Sequence, residues 1–262
     1  MDTPLVNPLQ LTPTSFAEDG YLVLRGVISE GECDRVRRMV VGSLAPLVGP
    51  AEFEADVGYP GAPGARSEPG GQTPRRLLHA YARHECLRDL AQCEAVVDEI
   101  SRLLPRVDVD DAVMLSQCHH NCVMTKHPGF SSATAWHQDI RYWSFDQPEL
   151  VTAWFALDAE HRKNGALKII PGSHKLALDR GRLDRDLFLR TELAENKALI
   201  RQARTVDLDK GDVLLFSSQV FHAAGKNLTG EVKTSPVFTY HAASNQPIPQ
   251  TRSARFPSIA VG

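Results

Sequence analysis

The chain has 262 residues and a formal net charge of −3. That length can bury roughly 70–75% of the unfolded surface, so a substantial core and one domain over residues 1–262 are expected. The small net charge argues against a general nucleic-acid binder, and no apolar run approaches the roughly 20 residues of a membrane span. The first residues lack a signal-peptide pattern and the five cysteines lack a disulfide spacing, which together predict a cytoplasmic protein.

The first 110 residues are predicted to form helices and loops. A short helix end and a strand are expected over 16–28, and Ser29 with Glu32 predicts a capping box that opens a helix ending near Leu44. Residues 49–74 contain five prolines and six glycines, a composition typical of a mobile loop. Apolar residues at helical spacing predict a second helix from about Glu85 to Leu104.

From residue 112 the pattern changes to short strands separated by Gly and Pro turns, which predicts a jelly-roll core over 112–245. The candidate strands are 112–126, 133–140, 150–158, 166–170, 205–208, 212–217, 219–224 and 233–241. A charged, helix-favouring insertion, 174–204, interrupts them. We also expect that residues 49–74 and part of 174–204 cover the mouth of the barrel.

The most informative residues are His137, Asp139 and His222. Residues i and i+2 of a strand point to the same face, so His137 and Asp139 can reach one metal ion, and the fold must return His222 from far along the chain. Two histidines and one carboxylate on one face of an octahedron leave three positions open, which is the arrangement of non-haem Fe(II) oxygenases.

The chain resembles the phytanoyl-CoA dioxygenase family of Fe(II)/2-oxoglutarate-dependent oxygenases. The resemblance is carried by residues 16–21, 136–145, 151–158, 164–167, 171–174 and 222–229. It implies a mainly β, cupin-like double-stranded β-helix with flanking N-terminal α-helices. It also implies that the metal is Fe(II), held by His137, Asp139 and His222.

The resemblance further implies a pocket for 2-oxoglutarate. Lys126, Gln138 and Trp154 match family positions that contact this co-substrate. The family arginine that pairs with the distal carboxylate is replaced by Lys233, a point charge where arginine would offer two parallel hydrogen bonds. Thr229 could add a hydroxyl to the same carboxylate.

The reaction implied by the resemblance consumes O2 and 2-oxoglutarate, releases succinate and carbon dioxide, and hydroxylates a substrate. Related halogenases have a small residue at the position of Asp139, so the aspartate favours hydroxylation. Arg141 and Arg162 favour an anionic substrate, small or lipid-linked, for which a Kdo sugar of a lipid A precursor is one candidate. No nucleic-acid partner is expected, and the sequence does not indicate an oligomeric state.

Three alternatives remain open at this stage. The first is a non-catalytic jelly-roll binding protein with a vestigial site. The second is a cupin-type metalloenzyme that does not use 2-oxoglutarate. The third, a zinc site in the Cys118–Cys122 segment, is disfavoured because a regular strand would point His119 away from Cys118 and His120, and no second ligand pair is evident.

Overall fold

The computed structural model describes residues 13–59 and 61–261. The residues on which the signal-peptide prediction depends therefore lie outside the described part of the chain. Within it, no helix is long and apolar enough to cross a membrane. The helices are α1 (Pro13–Asp19), α2 (Glu30–Gly42), α3 (Ala80–Arg83), α4 (Glu85–Ala91), α5 (Glu94–Leu103) and α6 (Ala194–Ile200).

Two antiparallel sheets form the body of the protein. The strands are β1 (Tyr21–Leu24), β2 (Ala51–Phe53), β3 (Pro74–Leu78), β4 (Val113–Lys126), β5 (Thr134–His137), β6 (Val151–Phe155), β7 (Leu167–Ile169), β8 (Arg204–Thr205), β9 (Val213–Ser217), β10 (His222–Ala224), β11 (Lys233–Ala242) and β12 (Ile259–Ala260). The major sheet has the order β1-β9-β6-β11-β4-β3-β2, with β12 beside β4, and the minor sheet has the order β5-β10-β7-β8. This is the expected double-stranded β-helix with flanking helices.

The major sheet is buried on both faces, which explains the unbroken apolar run of β9. Val213 and Leu215 pack with the helices in one core, whereas Leu214 and Phe216 pack in a second core toward the minor sheet. Side chains alternate along a strand, so a strand with two covered faces needs apolar residues at successive positions. The functional side chains described below line the space between the two sheets.

In the N-terminal half, the structure confirms the predicted capping box and corrects the predicted second helix. The capping box is present: the Ser29 hydroxyl accepts from the Glu32 backbone N–H, and the Glu32 carboxylate accepts from the Ser29 N–H, each at 3.3 Å. The helix predicted near 85–104 is instead two helices, α4 and α5, because the backbone leaves the helical conformation at Cys93 (ψ 113°).

Residues 49–74 are less irregular than their composition suggested. Strand β2 lies inside the segment and pairs with β3, which extends the major sheet beyond β4. The insertion 174–204 also differs from the prediction, since only α6 is helical. Its centre folds back on itself through a bridge between Leu183 and Leu189, and the Leu189 N–H donates to the Trp136 carbonyl at 2.9 Å.

The side chains of β4 do not alternate regularly between the two faces of the sheet in the Cys118–Cys122 segment. Ser116 and Asn121 of β4 pair with two adjacent residues of β11, so the intervening residues 117–120 form a bulge. His119 within it has φ +56°. The expectation that His119 and His120 point to opposite sides is therefore wrong: their rings lie 4.6 Å apart and line one pocket.

Candidate active site

The metal triad consists of His137, Asp139 and His222. His137 ends β5 and is paired in register with His222, the first residue of β10. Asp139 is not in the strand, because a 3-10 turn (Asp139–Tyr142) begins there. The intervening Gln138 keeps an extended backbone (φ −106°, ψ 136°), so the predicted i, i+2 geometry holds.

The triad has the geometry of a metal site. One ligand atom from each residue lies within 4.8 Å of the other two, and all three residues are buried. Asp139 Oδ1 is 3.3 Å from His137 Nε2 and 3.4 Å from His222 Nε2. The Nδ1 atoms face backbone carbonyls of Ala135 (2.8 Å) and Val220 (3.1 Å), which places the protons on Nδ1 and leaves both Nε2 lone pairs free for a metal.

The electrostatics of the triad also suit a cation. Burial alone would raise the pKa of Asp139, but the neighbouring His120 and His222 hold it well below its usual range. Burial lowers the pKa of His137, and the nearby His222 lowers it further, which favours the neutral ligand form. Both Asp139 oxygens are buried without a hydrogen-bond partner. Because an unpaired buried carboxylate is costly, the residues fit a divalent metal that supplies the missing positive charge.

The triad lines an inner pocket between the sheets, together with three buried cations, Arg75, Arg76 and Lys126. Lys126 donates only to the Ser132 carbonyl, at 3.0 Å. Burial, followed by the charges of Arg75 and Lys233, lowers its pKa to about 7. Arg75 donates to Ser132 Oγ at 2.8 Å and Thr134 Oγ1 at 2.9 Å. Together these side chains offer several donors beside the metal triad.

Gly165 shapes the wall of the pocket behind Lys126. It has φ +81°, and a Cβ built on it would lie 2.7 Å from the Gly225 carbonyl and 2.9 Å from Lys126 Cδ. Glycine is therefore required both by the left-handed backbone and by the close approach of the lysine stem.

Lys233 lies behind the inner pocket and is already paired. Its ammonium donates to Glu160 Oε2 at 2.7 Å and to Ser235 Oγ at 3.2 Å, and it lies 4.8 Å from the centre of the Trp154 ring. Glu160 also accepts from Trp154 Nε1 at 2.9 Å and from the Ser235 hydroxyl at 2.6 Å. Trp154 thus lines the pocket, whereas the ammonium of Lys233 is paired with a carboxylate of the protein.

Three other sequence candidates do not line the inner pocket. The Gln138 side-chain amide donates to the Gln219 carbonyl. The Thr229 hydroxyl donates to Asn227 Oδ1 at 2.7 Å, within a local turn. Arg162 is exposed on a 3-10 turn. Because each side chain is directed elsewhere, the structure brings none of them to the metal triad.

A larger outer cavity of about 1080 Å³ adjoins the inner pocket. Tyr59, Arg76, His119 and Tyr142 line both this cavity and the inner pocket. Tyr59 from the first predicted cover segment meets Phe188 from the second, with ring centres 5.8 Å apart. The Phe188 ring is also 5.6 Å from the His137 ring. The two predicted cover segments therefore meet next to the metal triad.

Arg141 is the sequence candidate that does line the outer cavity. Its guanidinium lies 4.1 Å from the centre of the Phe188 ring and 4.8 Å from that of Tyr142, and it donates to the Tyr142 hydroxyl at 2.9 Å. Among the residues that the structure describes, no carboxylate forms an ion pair with it. By contrast, the cavity carboxylates Glu52 and Asp56 are paired with Arg76 and Arg66.

Several site residues escaped the sequence analysis. Arg75 and Arg76 directly follow the stretch 49–74 whose composition predicted a loop, and Glu160 follows β6 without any motif. The adjacent His119 and His120 were noticed, but only as zinc ligands. The most direct signal was the Pro-Arg-Arg-Leu-Leu run of β3, in which two arginines precede an apolar pair.

The curated relatives of this chain are mostly dioxygenases. Dioxygenase lolE1 of Epichloe uncinata is 33% identical over 122 residues, which cover 47% of this chain and 44% of that protein. Ectoine dioxygenase of Sphingopyxis alaskensis is 25% identical over 251 residues, covering 88% and 75%. Human peroxisomal phytanoyl-CoA dioxygenase is 29% identical over 121 residues, covering 42% and 35%. The alignments with lolE1 and the human enzyme thus span less than half of those proteins.

Solved structures share the fold over nearly the whole chain. EctD from S. alaskensis with bound Fe superposes with a TM-score of 0.73 at 19% identity, covering 99% of this chain and 89% of that one. The epimerase SnoN, in complex with Fe3+, alpha ketoglutarate and nogalamycin RO, gives a TM-score of 0.70 at 21% identity, covering 90% and 84%.

The family comparison covers most of the chain. The sequence profile described as "Phytanoyl-CoA dioxygenase (PhyH)" matches residues 16–235. The match includes the metal triad and the inner pocket. The chain therefore belongs to the phytanoyl-CoA dioxygenase family of iron- and 2-oxoglutarate-dependent oxygenases.

Proposed function

We propose that this protein hydroxylates a small organic anion, using Fe(II), 2-oxoglutarate and O2. The observation that carries the proposal is the buried triad of His137, Asp139 and His222, which lines a cationic inner pocket that adjoins a large outer cavity. The bound metal would supply the redox chemistry that activates O2. The structural relatives whose titles name Fe and alpha ketoglutarate, or 2-oxoglutarate, support this assignment.

The inner pocket is the proposed site of 2-oxoglutarate. Its lining includes the buried cations Arg75, Arg76 and Lys126. Arg76 is paired with Glu52, and Arg75 lies 3.4 Å from Glu54. Among the described residues, Lys126 has no carboxylate partner within ion-pair distance, so its ammonium is available to a bound carboxylate.

We therefore assign the distal carboxylate of 2-oxoglutarate to Lys126 and Arg75. Arg75 contributes a planar guanidinium, the group that suits a carboxylate best, and so compensates for the missing family arginine. Its contact with Glu54, at 3.4 Å, is longer than a good charged hydrogen bond. Lys233 acts indirectly in this arrangement, by neutralising Glu160 behind the pocket.

The outer cavity is the proposed substrate site, and Arg141 favours an anionic group in the substrate. Its guanidinium is held in place by two aromatic rings and lacks an acidic partner among the described residues, so a substrate carboxylate or phosphate could supply one. The cavity volume suits a substrate of drug-like size or larger. The Kdo sugar considered above is an anion of this kind and stays a candidate, as does attachment to a lipid.

Tyr59, Tyr142 and Phe188 would exclude water from the reacting groups. The Tyr59 and Tyr142 hydroxyls are 3.1 Å apart, which links the first cover segment to the turn that follows Asp139. A closed aromatic wall around the triad favours attack on the bound substrate over side reactions. Asp139 occupies the position at which halogenases have a small residue, so hydroxylation is favoured over halogenation.

Two alternatives predict different results. A non-catalytic binding protein would not need an unpaired buried carboxylate between two histidines, and a metalloenzyme that does not use 2-oxoglutarate would not need the buried cations Arg75 and Lys126 beside the triad. The decisive experiment measures succinate formed from 2-oxoglutarate with added Fe(II), with and without candidate anions. Turnover that requires Fe(II) and is lost in His222→Ala is expected. Metal binding without succinate formation under any condition would contradict the proposal.

A further inference from the structure

His120 is a buried histidine for which the mechanism above has no role. The bulge at 117–120 brings it from β4 to the metal triad. Its ring is held between the Trp143 ring, 5.2 Å away at 77°, and the His119 ring, 4.6 Å away at 35°. The two neighbouring rings confine the His120 ring to one plane, which passes close to Asp139.

The Nδ1 atom of His120 faces the oxygen of Asp139 that is directed away from the other ligands. Asp139 Oδ1 is the oxygen near both His137 Nε2 and His222 Nε2, whereas Oδ2 is 3.4 Å from His120 Nδ1. Within the described part of the chain, neither Oδ2 nor His120 Nδ1 has a hydrogen-bond partner, although both are buried. The two complementary groups are adjacent, and a shift of about 0.6 Å with a small rotation of the His120 ring would join them in a charged hydrogen bond of about 2.8 Å.

His120 is not placed as a fourth ligand. The ligand atoms of His137, Asp139 and His222 lie within 4.8 Å of one another, and His120 does not belong to this set. Its Nδ1 lies 3.4 Å from Asp139 Oδ2, whereas the two Nε2 atoms lie nearest to Oδ1. That is the position of a group that orients a ligand.

We infer that His120 is a positioning residue, an inference that rests on the proposed function. Its Nδ1–H donates to Asp139 Oδ2, so that Oδ1 is the oxygen that binds the metal. A carboxylate held in this way binds through one oxygen and leaves three coordination positions open for 2-oxoglutarate and O2. Without the donor, Oδ2 is free to turn toward the metal or away from it. Outer-shell partners of metal ligands typically change metal affinity by about 10–100-fold.

The test compares three substitutions and follows Mn(II) binding by calorimetry without 2-oxoglutarate or substrate. In His120→Asn the amide nitrogen occupies the place of Nδ1 and keeps the donor. In His120→Gln the same amide lies one carbon farther out, near the place of Nε2, and His120→Leu has no donor. We expect the Mn(II) dissociation constant to rise about 10–100-fold in the leucine and glutamine variants and to stay within about threefold in the asparagine variant.

The asparagine and glutamine pair keeps the test decisive if the leucine variant does not fold. The melting temperature of the metal-free protein is measured for each variant. Lost packing around residue 120 should lower it in both the asparagine and the glutamine variant, whereas lost orientation of Asp139 should weaken Mn(II) binding in the glutamine variant alone. The absorption spectrum of the Co(II) protein should change in His120→Gln and stay close to the original in His120→Asn, as expected if carboxylate coordination alone is altered.

Three results would overturn the inference. These are equal Mn(II) affinity in all variants, equal loss in the asparagine and glutamine variants, and a Co(II) spectrum that changes in both. His137→Ala serves as the control for the proposed function. If it retains full Mn(II) affinity, the metal assignment itself is wrong; if it loses metal while His120→Gln does not, only the role of His120 is wrong.

Discussion

Lys233 provides the sharpest test of how the inner pocket holds 2-oxoglutarate. The sequence predicts a direct contact with the co-substrate, whereas in the structure the Lys233 ammonium donates to Glu160 at 2.7 Å. Lys233→Met removes the charge under either interpretation and should weaken 2-oxoglutarate binding. The two interpretations predict different 2-oxoglutarate affinities only for the double variant Lys233→Met with Glu160→Gln. That variant also removes the carboxylate that Lys233 neutralises.

The expected losses of stability and of 2-oxoglutarate affinity follow from the burial of the Lys233–Glu160 pair. Lys233 is 6% exposed and Glu160 is 2% exposed, so removal of one partner leaves a buried charge, which costs about 3–5 kcal/mol of folding stability. The Trp154 and Ser235 donors to Glu160 remain and reduce that cost. Near a dianionic ligand, the unpaired carboxylate should weaken binding by roughly 1.5–3 kcal/mol, or about 10- to 150-fold. The double variant should recover most of the affinity and the stability.

The assay is calorimetric titration of 2-oxoglutarate into the Mn(II)-loaded protein without O2, with thermal melting of the same samples. Glu160→Gln alone is the matched control and should not weaken binding, because it leaves the positive charge of Lys233 unpaired near the dianionic ligand. Arg75→Met should weaken binding without rescue by Glu160→Gln, because its proposed contact is direct. If the Lys233/Glu160 double variant binds as weakly as Lys233→Met, Lys233 contacts the co-substrate directly and the neutralising role is refuted.

Three further predictions concern the metal, the pH dependence and the cover. His222→Ala should abolish Mn(II) binding while the metal-free protein keeps its melting temperature, since the core does not depend on the metal; unchanged Mn(II) affinity would contradict this. Because burial lowers the pKa of Lys126 to about 7, its charged form prevails below pH 7, so 2-oxoglutarate affinity should fall by up to about tenfold per pH unit above it, and Lys126→Met should lose this dependence in calorimetry. Hydrogen exchange around Tyr59 and Phe188 should slow when 2-oxoglutarate and substrate bind, and exchange that changes only in the strands would leave the cover without support.

Local patterns predicted much of the framework. The Ser29–Glu32 box marks the start of α2, and alternating or continuous apolar runs place most strands of the two sheets. These signals succeed because capping and burial act over a few residues. The prediction failed at β2 and β3, where prolines, glycines and arginines obscure a strand whose partner, β4, lies far along the chain.

The sequence by itself determined the metal triad, since His137 and Asp139 are two residues apart on an extended backbone and His222 follows in a recognisable segment. Only the tertiary structure decided which charged groups surround it. Arg75 reaches the pocket because β3 pairs with β4, and Glu160 neutralises Lys233 because two distant segments meet behind the sheet. His120 faces Asp139 because a bulge breaks the alternation of β4. Each of these contacts depends on strand pairing between remote residues, which local sequence does not encode.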